Sequence, residues 1–99
     1  MKAGVSQMVR SQIFSRGLRS RRLLGAFLRV DRVHFVPPAS AHLAYGDHPV
    51  PIGAGQTVSQ PYMVAIMLDL LDVRREMKIL EVGAGSGYAV ALLKVMGAR

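Results

Sequence analysis

The chain has 99 residues, of which 51% are hydrophobic and 19% are charged, and this composition excludes a disordered tail. Cysteine is absent, which excludes a disulfide framework, a cysteine-based zinc site and a thiol nucleophile. The formal net charge is +7, so the charge is strongly unbalanced toward the basic side.

Two amphipathic helices are predicted near the N-terminus. Apolar side chains recur at helical spacing over residues 5–16, and Gly17 follows as a typical C-terminal stop. Ser20 is a plausible N-cap for a second helix, whose apolar stripe consists of Leu23, Leu24, Phe27 and Leu28. The two prolines at 37 and 38 should end any helix and force an extended segment.

Most of the positive charge lies in this N-terminal region. Eight basic residues precede residue 33 and are opposed there only by Asp31; they are Lys2, Arg10, Arg16, Arg19, Arg21, Arg22, Arg29 and Arg32. One interpretation is a phosphate-binding patch for nucleic acid. We favour a solvated helical face, because charge runs commonly mark exposed surfaces.

The middle of the chain, residues 39–60, lacks a regular pattern. Residues 45–47 predict a turn, and residues 50–52 predict a short edge strand because the prolines at 49 and 51 would disrupt a central strand. The Gly-Ala-Gly sequence at 53–55 indicates a hinge or a close backbone approach.

A further helix is predicted to start near Pro61, with either Ser59 or Gln60 as its N-cap and serine as the chemically better choice. Its apolar residues cover most of the helix circumference, so we expect burial on more than one side. Met63 and Met67 are accordingly interpreted as core-filling residues.

The last part predicts a strand at 78–82, a glycine turn and a helix at 88–95. The sequence of residues 81–87 is Glu-Val-Gly-Ala-Gly-Ser-Gly, in which glycines permit positive φ and the following helix start offers free N–H groups to an anion. The third glycine comes one residue too early for a dinucleotide fingerprint, and no P-loop lysine follows. A glycine-rich turn without a ligand remains the alternative.

This turn resembles the first motif of S-adenosylmethionine-dependent methyltransferases. A second block, Pro-Ile-Gly-Ala-Gly-Gln-Thr-Val-Ser-Gln-Pro-Tyr at 51–62, together with the turn, is similar to the protein-L-isoaspartate O-methyltransferase family. The sequences Phe-Val-Pro-Pro at 35–38 and Leu-Ala-Tyr at 43–45 fit the same family.

The resemblance implies an α/β fold, namely the N-terminal part of a Rossmann-like methyltransferase. It implies a helical and loop region at 1–48 and the start of the methyltransferase domain at 49–99. The implied cofactor is S-adenosyl-L-methionine, bound by Glu81, Gly83, Ala84, Gly85 and Gly87.

The implied activity is repair: a methyl group passes to the free carboxylate of an isoaspartyl residue in a damaged protein or peptide. The resemblance implies a catalytic role for Ser59 and substrate binding by Thr57, Val58, Ser59 and Gln60. From the residues alone, a plain helix cap is the favoured explanation of Ser59.

Relatives in this family are about twice as long, so the sequence predicts an N-terminal fragment that binds cofactor weakly by itself. The alternatives are a basic nucleic-acid-binding module and a methyltransferase for another substrate. We expect a cytoplasmic location and no membrane span, since the uncharged stretch at 48–68 is interrupted by proline, glycine and glutamine. We expect no metal site, because the three histidines lack metal-ligand spacing.

Overall fold

The structure is a computed structural model that describes residues 3–83 and 85–99. Its first helical segment comprises α1 (Ala3–Met8), a π-helical turn (Val9–Ile13) and a 3-10 turn (Phe14–Arg16). Gly17 ends the segment with a φ of 100°, and its N–H donates to the Phe14 carbonyl at 3.1 Å. The predicted N-terminal helix is therefore confirmed, although its type changes along its length from α to π to 3-10.

Helix α2 (Arg21–Arg29) has the predicted N-cap, since the Ser20 hydroxyl accepts a hydrogen bond from the Leu23 N–H at 3.2 Å. Two 3-10 helices follow, Arg32–Phe35 and Pro38–Leu43. Pro37 is extended as predicted, but Pro38 begins the second 3-10 helix, so the expected extended segment was wrong there. The fixed φ of proline suits the first position of a helical turn.

A small antiparallel hairpin links the N-terminal helices to the rest of the chain. Strand β1 (Val50–Gly53) pairs with β2 (Gln56–Val58), with Val50 opposite Val58 and an irregularity between Pro51 and Gly53. The predicted edge strand is confirmed, whereas the strand at 56–58 was missed. Ala54 and Gly55 form the two-residue hairpin turn, and both have positive φ, as does Gly53 at the end of β1.

Helix α3 (Pro61–Leu71) is capped by Gln60 without a side-chain hydrogen bond, so Ser59 is not the cap. Only one of its faces is buried, through residues such as Val64 and Leu68. The exposed fractions of Met63 and Met67 are 48% and 61%. The prediction that α3 is buried on several sides was wrong, and so was the interpretation of both methionines as core residues. No described element packs on the face of α3 that carries Met63 and Met67.

The segment at 78–82 precedes the glycine turn but is not a strand. A strand requires a neighbour that completes its hydrogen-bond ladder, and no strand of the described residues lies beside this segment. Instead, the main chain next to this segment forms hydrogen bonds with the C-terminal end of the chain. The Arg99 N–H donates to the Met77 carbonyl at 2.9 Å. The predicted strand was therefore wrong, whereas helix α4 (Tyr88–Val95) has the predicted bounds.

One hydrophobic core joins the first helical segment, α2 and α4. Ile13, Phe27 and Leu92 are completely buried in it. Residues from both predicted regions, 1–48 and 49–99, contribute to this core, and the division between them remains a prediction. Among the described residues, no helix has the length and apolar character required to cross a membrane.

Candidate functional site

A cleft of about 530 Å³ lies between the end of the hairpin and the glycine turn. On one side it is lined by Thr57, Val58 and Ser59, which follow from β2 into the start of α3. On the other side it is lined by Glu81, Gly83 and Gly85. The fold thus brings two segments together that are more than 20 residues apart in the sequence.

The glycine turn keeps its shape through positive φ angles. Gly83, Gly85 and Gly87 have φ of 71°, 58° and 87°, a conformation that L-residues rarely adopt. A Cβ added at Gly83 or Gly87 would meet no atom within 4 Å, so the protein itself leaves this space open. The turn therefore exposes bare main chain toward the cleft and leads into the N-terminal end of α4.

The electrostatics of this side suit a ligand that carries both charges. The first turn of α4 presents N–H groups that favour a carboxylate, although the Tyr88 N–H already donates to the Ser86 hydroxyl at 3.3 Å. Glu81 is partly exposed and lines the same cleft, which favours a cationic group nearby.

Two of the predicted site residues that the structure describes, Gln60 and Gly87, lie outside the cleft. The Gln60 amide donates to the Asp47 carboxylate at 2.7 Å, and Gln60 does not line the cleft. Gly87 is the N-cap of α4 and also lies outside the lining. Ala84 lies outside the described residues, so its predicted contact is not addressed by the structure.

Apart from Ser86 and Tyr88, the rest of the cleft wall is apolar. Met67, Leu68 and Leu71 contribute from α3, and Leu80 and Val82 contribute from the segment before the glycine turn. Leu80 and Val82 are each 89% exposed. Because one side of the cleft is open, this apolar wall does not by itself exclude water. It provides apolar surface that a bound ligand would cover.

The structure also reveals a buried arginine that the sequence analysis grouped with the solvated basic residues. Arg32 is completely buried, whereas the described arginines that precede it are exposed. Its Nε donates to the Ala44 carbonyl at 2.8 Å, and its Nη2 donates to the Ser59 carbonyl at 2.7 Å. The only sequence signal was its position within an apolar stretch, between Val30 and Val36.

Arg32 also faces the aromatic ring of Tyr88, with its guanidinium carbon 5.1 Å from the ring centroid. Tyr88 is 2% exposed and packs against Phe27 and Phe35. Burial raises the pKa of the Tyr88 hydroxyl to about 12, although the positive charge of Arg32 opposes this shift. Burial lowers the pKa of the Arg32 guanidinium for the same physical reason.

A second, exposed cluster holds the end of the hairpin region against the N-terminal helix. Arg16 forms a salt bridge with Asp47 and lies 5.1 Å from the centroid of the Tyr62 ring. The Arg16 guanidinium and the Gln60 amide both bond to the Asp47 carboxylate and lower its pKa. Among the described residues, no group of three metal-binding side chains comes together.

Comparisons with known proteins agree on one family. Residues 3–99 match the family described as "Protein-L-isoaspartate(D-aspartate) O-methyltransferase (PCMT)". A protein-L-isoaspartate O-methyltransferase from Methylorubrum populi is 53% identical over 97 residues, covering 98% of this chain and 46% of that protein. One from Geobacter metallireducens is 52% identical over 93 residues, covering 94% of this chain and 43% of that protein.

Solved structures show the same fold. A Plasmodium falciparum protein described as a protein-L-isoaspartate O-methyltransferase, in complex with S-adenosyl-L-homocysteine, matches with a TM-score of 0.83 at 24% identity, covering 96% of this chain and 43% of that one. A second protein-L-isoaspartate O-methyltransferase matches with a TM-score of 0.75 at 26% identity, covering 92% of this chain and 30% of that one. The chain therefore spans less than half the length of these relatives.

Proposed function

The chain belongs to the protein-L-isoaspartate(D-aspartate) O-methyltransferase family, and we propose that its cleft serves methyl transfer to isoaspartyl residues. The donor is S-adenosyl-L-methionine, and the acceptor is the free carboxylate of an isoaspartyl residue in a damaged protein or peptide. The observation that carries this proposal is the cleft in which residues 57–59 face Glu81, Gly83 and Gly85.

The residues of the glycine turn fit the amino-acid end of S-adenosyl-L-methionine. The open space above Gly83 admits a ligand against the main chain, and the start of α4 favours its carboxylate. The Glu81 side chain supplies negative charge for its cationic groups. Ala84 and Gly87 complete the proposed cofactor-binding set as members of the same turn.

On the opposite side, Thr57, Val58 and Ser59 would hold the substrate. Residues 57 and 59 are exposed, and within the described residues the Ser59 hydroxyl makes no hydrogen bond, which leaves it available to a substrate carboxylate. Gln60 would act indirectly, because its side chain is bound to Asp47.

The chemistry requires alignment more than proton transfer. When bound, S-adenosyl-L-methionine supplies the electrophilic methyl group. The free carboxylate of an isoaspartyl residue is its α-carboxylate, whose ordinary pKa is about 3.3–3.7, so the acceptor is ionised at neutral pH and needs no general base. Ser59 would orient this carboxylate toward the glycine turn, so that the acceptor oxygen faces the methyl group of the donor.

Nucleic-acid binding remains a weaker alternative. It is supported by the exposed arginines of the N-terminal helices, such as Arg21 and Arg29. These residues do not line the cleft. The cytoplasmic location expected from the sequence remains a prediction.

Titration of S-adenosyl-L-homocysteine into the chain tests the cofactor side. Gly85→Ala places a methyl group at the proposed contact, and we expect it to weaken binding by about tenfold or more. Gly17→Ala is the matched control, because Gly17 also has a positive φ and open space but does not line the cleft. Equal affinities for both variants would contradict the proposed cofactor site.

Methyl transfer to an isoaspartyl peptide tests the acceptor side, using the chain joined to the remaining half of a curated relative. We expect Ser59→Ala to reduce turnover by about tenfold or more, since it removes the group that aligns the carboxylate. Ser15→Ala replaces another exposed serine, on the first helical segment and outside the cleft, and should have no effect on turnover. No transfer by the unmodified fusion protein would exclude the proposed activity.

A further inference from the structure

The buried Arg32 connects three separate parts of the chain. It lies in the 3-10 helix Arg32–Phe35 and donates hydrogen bonds to the main chain at Ala44 and at Ser59. Both distances, 2.8 and 2.7 Å, are those of well-formed hydrogen bonds. Arg32 therefore fixes the main chain of the proposed substrate segment from inside the protein.

The same guanidinium also reaches the cofactor side of the cleft. It lies over the ring of Tyr88, the first residue of α4 and the residue directly after the glycine turn. Tyr88 cannot move independently, because its ring is enclosed by Phe27 and Phe35 at centroid distances of 6.1 and 5.5 Å. Arg32 is thus the link between Ser59 on one wall of the cleft and Tyr88 on the other.

This arrangement is unfavourable for a residue that only stabilises the fold. The Arg32 Nη1 and the Tyr88 hydroxyl are both buried without a well-formed hydrogen bond in the described residues, although the two side chains are close enough that their interaction shifts the pKa of each. No carboxylate of the described residues forms an ion pair with Arg32. Burying a charge with incomplete pairing destabilises the folded state, and an apolar side chain would fill the same space without this penalty.

We propose that Arg32 is a positioning residue that sets the distance between the substrate segment and the glycine turn. This inference rests on the proposed function. Arginine suits the task because its planar group donates in two directions while its face stacks on a ring. Lysine keeps the charge but cannot hold both carbonyls and the ring in one geometry.

The first test compares nuclear magnetic resonance spectra of the chain with those of Arg32→Lys and Arg22→Lys. Arg22 is a matched control, since it also donates to a main-chain carbonyl, that of Met96, at 2.8 Å. We expect Arg32→Lys to shift the signals of residues 59–60 and of residues 88–89 together. Arg22→Lys should shift only signals around Met96.

Shifts confined to one wall of the cleft, or equal shifts throughout the chain, would overturn the proposed link. If Arg32→Lys does not fold, Tyr88→Leu tests the proposed link instead, because it removes the ring face on which the guanidinium lies. Ser59 signals should then shift although Ser59 and Tyr88 share no hydrogen bond, and unchanged Ser59 signals would overturn the proposal.

The second test measures methyl-transfer kinetics in the fusion with the other half of a relative. We expect Arg32→Lys to lower kcat by about tenfold or more, while the KM for S-adenosyl-L-methionine changes by less than about twofold. Arg22→Lys should leave both values unchanged. An unchanged kcat in folded Arg32→Lys would make Arg32 a purely structural residue. No transfer by the unmodified fusion would instead reject the proposed function, and the spectra would still decide whether the link exists.

Discussion

Apolar side chains are buried on one side of the molecule, between α2 and α4, and exposed on the other side, on α3 and beside the glycine turn. On the packed side, Phe27 and Leu92 are completely buried between α2 and α4. On the open side, Leu70 is 79% exposed on α3 and Leu80 is 89% exposed beside the glycine turn. Both sides are apolar in sequence, so hydrophobicity alone does not determine which residues the chain buries.

On the open side a helix forms, whereas a predicted strand does not. Helix α3 forms although half of its surface is open, because its backbone hydrogen bonds are internal. The equally apolar segment at 78–82 does not form a strand, because a strand depends on hydrogen bonds to a neighbour. A helix can therefore persist where its tertiary partners are missing, whereas a strand cannot.

The largest expected effect comes from truncating a side chain on the packed side. We expect Phe27→Ala to reduce the free energy of unfolding by about 3–5 kcal/mol, since it leaves a cavity beside Tyr88. Leu80→Ala on the open side should change it by less than about 0.5 kcal/mol. Denaturant titration of both variants measures the difference, and similar losses would show that the open side is covered in solution.

High pH should destabilise the packed side. The pKa of Tyr88 is raised to about 12 from 10.0 in the folded chain, so the folded state holds its proton more tightly than the unfolded state does. The stability this provides is fully present below pH 10 and is lost as the pH rises toward 12, by roughly 2 kcal/mol.

Thermal unfolding between pH 8 and 12 measures this loss. Tyr88→Phe should reduce the pH dependence because it removes the titrating group. Tyr45, whose pKa is likewise raised to about 12 by burial and by its hydrogen bond to Asp31, should account for what remains. A profile identical in the wild type and Tyr88→Phe would show that Tyr88 does not contribute.

Replacing glycine by alanine at two positions should change the free energy of unfolding by smaller amounts and in opposite directions. Gly87 has a φ of 87°, so we expect Gly87→Ala to destabilise the chain by about 1–2 kcal/mol. Gly25 lies inside α2, and an added Cβ would meet nothing within 4 Å, so Gly25→Ala should stabilise by about 0.4–1 kcal/mol. Denaturant midpoints for the two variants are the measurement, and a shift in the same direction would refute the assigned backbone geometry.

Local signals in the sequence identified the helices and the turn correctly. The Ser20 cap, the Gly17 stop and the bounds of α4 all follow from contacts within a few residues. The glycine turn was identified because its conformation excludes most other residues. These features depend on neighbours in the sequence, which a single chain always contains.

Features that depend on distant partners were the ones missed. The burial of Arg32 depends on carbonyls at Ala44 and Ser59, and no periodicity marks such contacts. The exposure of Met67 and the missing strand depend on which elements lie alongside, which an apolar pattern does not specify. Of the eight predicted site residues that the structure describes, six line one cleft, and the family resemblance was needed to connect their two segments.

The smallest expected effect on stability comes from the open face of α3. Leu70→Gln replaces an exposed apolar side chain with a polar one of similar helix propensity, so the free energy of unfolding should change by less than about 0.5 kcal/mol. The same change should reduce binding of a hydrophobic dye, since it removes one of the exposed apolar side chains of α3. Ala65→Gln, a change of the same kind on the buried face, should unfold the helix packing and increase dye binding. If Leu70→Gln were as destabilising as Ala65→Gln, the outer face of α3 would be covered in solution, and the contrast between the two sides would disappear.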